Sequence, residues 1–151
     1  MISSLQSFDD KTIHDIEVHR KQTGSSIVQL LGAYSRTWSR NLSTEERRAI
    51  IATIWEPDGT YTDPTASSLS PSKLTDHIER MVELLGEAEL RLAGQPVFYG
   101  NIVAFSWEYA DGNGKRLGLF TTFGTDFVEL SDRGKLRSIV GLFGTRLDVP
   151  A

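Results

Sequence analysis

The sequence has no cysteine, which excludes a disulfide framework, a thiolate metal site and a cysteine nucleophile together. It has no apolar run near the roughly 20 residues needed to cross a bilayer. Met1 to Asp10 lack the basic start and apolar stretch of a secretion signal, so the cytoplasmic compartment is expected. Basic residues number 16 against 20 acidic ones, for a formal charge of −4. The two signs are mixed along the chain, and no basic stripe offers itself to nucleic acid. Neither nucleic acid nor membrane is expected as a partner. Histidine is scarce too. His14 and His19 stand five apart, the wrong spacing for two ligands on one helical face, and His77 flanks an apolar stripe and reads as a rim residue. No histidine follows it. A G-x-S-x-G elbow, a phosphate-cradling glycine loop and a dinucleotide fingerprint are all missing. Glu56 and Asp58 have no metal-site spacing around them. The expectation is no metal and no cofactor.

What is present reads as one ordinary globular domain. The chain has 151 residues, 39% hydrophobic and 24% charged, enough to bury a core without staples. Residues 1–23 are polar and weakly patterned and read as an N-terminal arm, leaving 24–151 as the domain. Ile27, Leu30, Leu31, Tyr34 and Trp38 recur at the spacing of one helical face. Ser43 and Glu46 form a capping-box pattern at the head of a second helix, with Ala49, Ile50, Ile54 and Trp55 as its buried side and Pro57 and Gly59 as its stop. Ser70-Pro71 opens a third helix, with Leu74, Ile78, Met81, Val82 and Leu85 as its stripe and Gly86 as its end.

After Gly86 the period changes to that of strands. Glu89–Val97, Ile102–Tyr109, Leu117–Leu130 and Leu136–Leu147 alternate or run apolar, separated by turn-forming sequences at 99–101, 111–114 and 132–135. Short consecutive turns imply an antiparallel meander. A short strand at Thr60–Asp63 precedes it, and helices first with strands last read as α+β. Val103, Phe105 and Trp107 alternate with Ile102 and Ala104, so both sheet faces carry apolar side chains. Three helices cover one face; the other is expected to meet a second copy of the chain.

Three residues stand out chemically. Tyr61 and Asp63 share a strand face. If that face lines a cavity, Asp63 is a carboxylate beside a phenol and a competent proton shuttle; if not, it ends the strand with local hydrogen bonds before Pro64. Asp126 shares parity with Phe120, Val128 and Leu130, placing an acid on an apolar face. There it is hydrogen-bonded, paired or protonated. Tyr34 lies on the buried face of the first helix, where its hydroxyl meets either a cavity or a backbone carbonyl.

The stretch Trp55–Pro64, the strand Phe105-Ser106-Trp107-Glu108, and Gly124-Thr125-Asp126-Phe127 through Asp132-Arg133-Gly134-Lys135 to Gly141-Leu142-Phe143 resemble the SnoaL-like branch of the nuclear transport factor two-like superfamily. The resemblance covers roughly Ser26 to Gly144. It implies a cone-shaped fold with three N-terminal helices on a curved antiparallel sheet and a pocket between them. Within that superfamily the ketosteroid isomerases are the nearest catalytic template, with an aspartate-proline pair like Asp63-Pro64 and an oxyanion hole of a tyrosine and a protonated aspartate. The template implies Asp63 as base, with Asp126 and Tyr34 holding an enolate oxygen, and walls from Tyr61, Trp55, Phe105, Trp107 and Phe143. The implied function is that of a cofactor-free isomerase or cyclase acting beside a carbonyl in a small apolar, ring-containing molecule. A non-catalytic ligand-binding or dimerisation module of the same fold is the alternative. An epoxide hydrolase of the limonene type is disfavoured, since its arginine would fall at Gly124. The histidine-dependent dehydratase and cyclase schemes lack sheet histidines here.

Overall fold

A computed structural model describes residues 11, 24, 26–115, 117 and 122–147. The expected arm, with His14 and His19, lies outside the described residues except for Lys11, as does Phe120. Helix α1 is described over 26–36 and turns Ile27, Leu31 and Tyr34 inward. Serines open the other two helices. The Ser43 hydroxyl accepts from the Glu46 amide at 3.1 Å to cap α2 (Thr44–Ile54). Ser70 caps α3 (Pro71–Leu85), where proline occupies the first turn. Gly86, at φ +59°, ends α3 in a backbone conformation open to glycine. Arg47 of α2 is buried and donates to the Thr37 carbonyl at 2.8 Å and the Ser39 carbonyl at 2.6 Å. It thereby satisfies carbonyls at the end of α1 that no helical amide reaches.

The apolar spacing predicts Trp55 on the buried side of α2. Instead it is extended (φ −101°, ψ 143°) and opens strand β1 (Trp55–Asp63). Pro57 biases Glu56 away from the helical region, so the helix stops at Ile54. The register of β1 then slips between Trp55 and Thr60, a bulge that accommodates a proline with no amide to donate. Ala49, expected on the buried side, is exposed, and Ile51 stands in the core instead.

The remaining strands are β2 (Ala66–Leu69), β3 (Glu89–Tyr99), β4 (Ile102–Ala110), β5 (Phe123–Leu130) and β6 (Leu136–Phe143). Their order in the sheet is β2-β1-β6-β5-β4-β3. Strands β3 to β6 form the expected antiparallel meander. The sheet as a whole is mixed, however, because β6 runs parallel to β1. The chain leaves β1 through β2, α3 and the meander before returning, so no tight turn dictates an antiparallel pairing. The β1–β2 hairpin also stands between α2 and α3, so the helices do not all precede the sheet.

The inner face carries Tyr61, Val103, Phe105, Trp107, Val128 and Ile139, which cluster with Leu31 of α1 and with Leu74 and Ile78 of α3. Each fully buried aliphatic side chain of this kind contributes about 1.5–3 kcal/mol. On the outer face, Val97, Ala104, Phe127 and Val140 form one cross-strand row. Phe127 and Val140 are 43% and 44% exposed, so four strands present apolar surface away from the helices. No described helix is long and apolar enough to cross a membrane.

Candidate active site

The last residue of β1 is held from four directions. Asp63 Oδ1 accepts from the Thr65 amide at 2.6 Å and the Thr65 hydroxyl at 2.7 Å. Its Oδ2 accepts from the Tyr61 hydroxyl at 2.8 Å and lies 3.3 Å from His77 Nε2. The side chain is 4% exposed. Burial raises its proton affinity more than any other single influence, but the bonds from His77, Thr65 and Tyr61 together outweigh it and hold the carboxyl at about 2. Asp63 thus makes the local turn to Thr65 and at the same time faces the interior beside a phenol.

Asp126, in the middle of β5, is 3% exposed. Its Oδ1 accepts from the Trp107 indole N–H at 2.8 Å, while Oδ2 lies 3.4 Å from the Tyr34 hydroxyl. Burial is the main influence here and pushes its carboxyl up to about 7. The Trp107 bond opposes that rise, the negative charge of Asp63 adds to it, and Tyr34 opposes it weakly. Tyr34 is itself pushed well above the ordinary phenol range, first by burial and then by Asp126. Two carboxyls in one interior are thus driven apart, one kept ionised and one poised near neutrality.

Glycine separates them. Gly141 of β6 pairs with Asp126 on one side, and on the other β6 pairs with β1 one residue earlier, at Thr62 and Val140. A Cβ at position 141 would lie 2.7 Å from Asp126 Oδ1 and 3.6 Å from Asp63 Cβ. Any larger residue would fill the space between the two acids. The two acids also share a hollow of about 30 Å³ whose wall includes Tyr34, Asp63, Asp126, Tyr61, Trp107 and Phe143. These six were singled out from the sequence, and they converge here. Trp55 and Phe105 were singled out with them but are core residues outside that wall. Phe105 packs edge-on to the Tyr34 ring at 6.0 Å.

Sequence reasoning missed other members. Trp38 and Tyr109 line the hollow, with Met81 and Leu90. His77, read as a rim residue, is 5% exposed and bonded to Asp63. Its signal was its spacing: it lies three residues after Leu74 and four before Met81, within the apolar stripe of α3. Among the described residues the lining contains no lysine or arginine, and no cluster of three or more potential metal ligands is found.

No protein-family profile matches the chain, and no curated protein matches it significantly. Solved structures do. A candidate isomerase of the SnoaL-like family from Agrobacterium tumefaciens is 24% identical, covers 79% of this chain and 97% of its own, and superposes with a TM-score of 0.70. A nuclear transport factor two-like protein of unknown function from Exiguobacterium is 14% identical over 80% of this chain and 99% of its own, TM-score 0.58. A candidate polyketide cyclase from Sinorhizobium meliloti is 12% identical over 75% of this chain and 93% of its own, TM-score 0.54. The chain has the nuclear transport factor two-like fold.

Proposed function

We propose that the chain is a small-molecule isomerase or cyclase, and that Asp126 carries the proton it moves at a carbon next to a carbonyl. The observation that carries this reading is the convergence of Asp126, Tyr34 and Asp63 on one largely apolar hollow. An acid–base group is most effective with its proton affinity near the working pH, and Asp126 at about 7 meets that condition. Asp63, the base implied by the family resemblance, is less suited. A carboxylate offers about four acceptor positions, and the Thr65 amide and hydroxyl, Tyr61 and His77 fill them. In this reading Asp63 is a fixed negative charge that keeps the Asp126 proton affinity high. The Tyr34 hydroxyl, at the outer limit of a bond to Asp126, turns to the guest's oxygen as charge develops there.

The test is hydrogen exchange. Small ring ketones are incubated with the protein in deuterium oxide, and loss of the protons beside the carbonyl is followed by NMR. Catalysed exchange is expected to fall about 100-fold or more in Asp126→Asn. Equal exchange by wild type and variant defeats the reading. The size of the hollow favours one second reading, a non-catalytic binding module for a compact guest; ketone binding without any exchange would support it. We further propose a homodimer through the outer sheet face, where the exposed row of Val97, Phe127 and Val140 supports a second copy as the cover.

A further inference from the structure

The three tryptophans differ in what their indole N–H groups meet. That of Trp107 donates to Asp126. Those of Trp38 and Trp55 are buried and have no acceptor among the described residues, an uncommon condition in a native interior. Trp55 belongs to the core, whereas Trp38, 7% exposed, forms part of the wall of the hollow. Trp38 and Tyr34 stand on the same wall of the hollow with their rings edge to face, and the Trp38 N–H eases loss of the Tyr34 proton without meeting full hydrogen-bond geometry. Its ring is fixed by edge contacts to Tyr34 at 6.5 Å and His77 at 6.2 Å and by a tilted contact to Tyr61 at 6.1 Å. The donor is therefore held in place before any guest arrives.

We infer that Trp38 Nε1–H and the Tyr34 hydroxyl form a two-donor cradle for a single oxygen of the guest. Neither donor has a well-placed acceptor among the described residues. The Trp38 N–H meets none there in hydrogen-bond geometry, and the Tyr34 hydroxyl has only the 3.4 Å bond to Asp126. Both belong to a wall that, among the described residues, contains no lysine or arginine and includes the ionised Asp63. Such a cradle takes a neutral carbonyl or phenol oxygen and repels a carboxylate, which would meet a like charge with no cation to offset it. Trp38 thereby defines the guest as a small ketone, aldehyde or phenol. The inference rests on the hollow being a ligand site; it adds a donor and a chemical class that the Asp126 assignment does not require.

The test uses the full chain and the three indoles as separate reporters. Cyclopentanone and phenol are titrated while ¹H–¹⁵N spectra follow the indole N–H signals, with toluene as the oxygen-free control and benzoate as the charged one. The Trp38 signal is expected to move downfield at saturation while that of Trp55 stays put. Trp38→Phe is expected to weaken the oxygen-bearing probes about five- to tenfold and toluene little. Equal weakening of phenol and toluene in Trp38→Phe overturns the cradle, since only packing would then be at stake. So does a stationary Trp38 signal with phenol bound, benzoate binding as tightly as phenol, or the absence of binding by either oxygen-bearing probe. Exchange lost in Asp126→Asn with Trp38 unmoved leaves proton transfer standing and the cradle refuted. A moving Trp38 signal with no exchange gives the reverse.

Discussion

Replacing Asp126 with asparagine should stabilise the protein, and increasingly so as the pH rises. The side chain is wholly interior, and burial is the chief reason its carboxyl reaches about 7 instead of the ordinary 3.8. A folded chain that holds a proton more tightly than its unfolded form loses stability as pH climbs through that interval, and the loss is complete above about 7. The interval corresponds to about 4 kcal/mol, an upper figure; water entering the hollow lowers it toward about 2 kcal/mol. Asparagine keeps the geometry: its amide oxygen accepts from Trp107, and its NH₂ meets the Tyr34 oxygen. It carries no charge to bury. Urea unfolding of wild type and variant at half-unit steps from pH 4.5 to 8.5 reads the effect directly. The difference between them should be small at the acid end, grow through pH 5–7 and level off above. A constant difference across the range, or a less stable variant at pH 8, would refute the burial argument and weaken the claim that Asp126 is the proton carrier.

Asp63 should behave in the opposite sense. Its carboxyl is held at about 2, so its contribution is present above the unfolded value and disappears as pH falls from about 4 toward 2. Asp63→Asn should flatten acid unfolding in that window by about 1–2 kcal/mol, measured by circular dichroism. Gly141→Val should abolish ketone and phenol binding in a thermal-shift assay and destabilise by about 1–3 kcal/mol, because its side chain must displace Asp126; undiminished binding would place the guest elsewhere. Phe127→Asp, which puts charge on the exposed outer row, should convert a dimer to monomer by sedimentation velocity. A wild type already monomeric at high micromolar concentration would end the proposal of a second copy.

Local rules made much of this fold legible. Ser43 and Ser70 announce helix starts through side-chain chemistry that acts within four residues, and strand parity alone put Asp126 on the inner face with Val128. Legibility failed where partners come from distant segments. His77 sits at a stripe position that the sequence displays, but its meaning depends on Asp63, fourteen residues away and delivered by the β1–β2 hairpin. The filled acceptor sites of Asp63 depend on that same hairpin. The parallel pairing of β1 with β6 joins residues such as Tyr61 and Ile139, 78 positions apart, and no local pattern encodes it. Trp55 was misplaced for a nearer reason: its apolar spacing fits both the helix and the strand that follows, and Pro57 decides between them.

The position of β6 makes it the keystone of the sheet. Strands β1 and β2 lie on one side of it and β3 to β5 on the other, so Asp63 and Asp126 sit on two blocks that share no hydrogen-bonded strand except β6. Whatever loosens β6 from either neighbour therefore moves one acid relative to the other, and the site depends on a strand that supplies neither carboxyl.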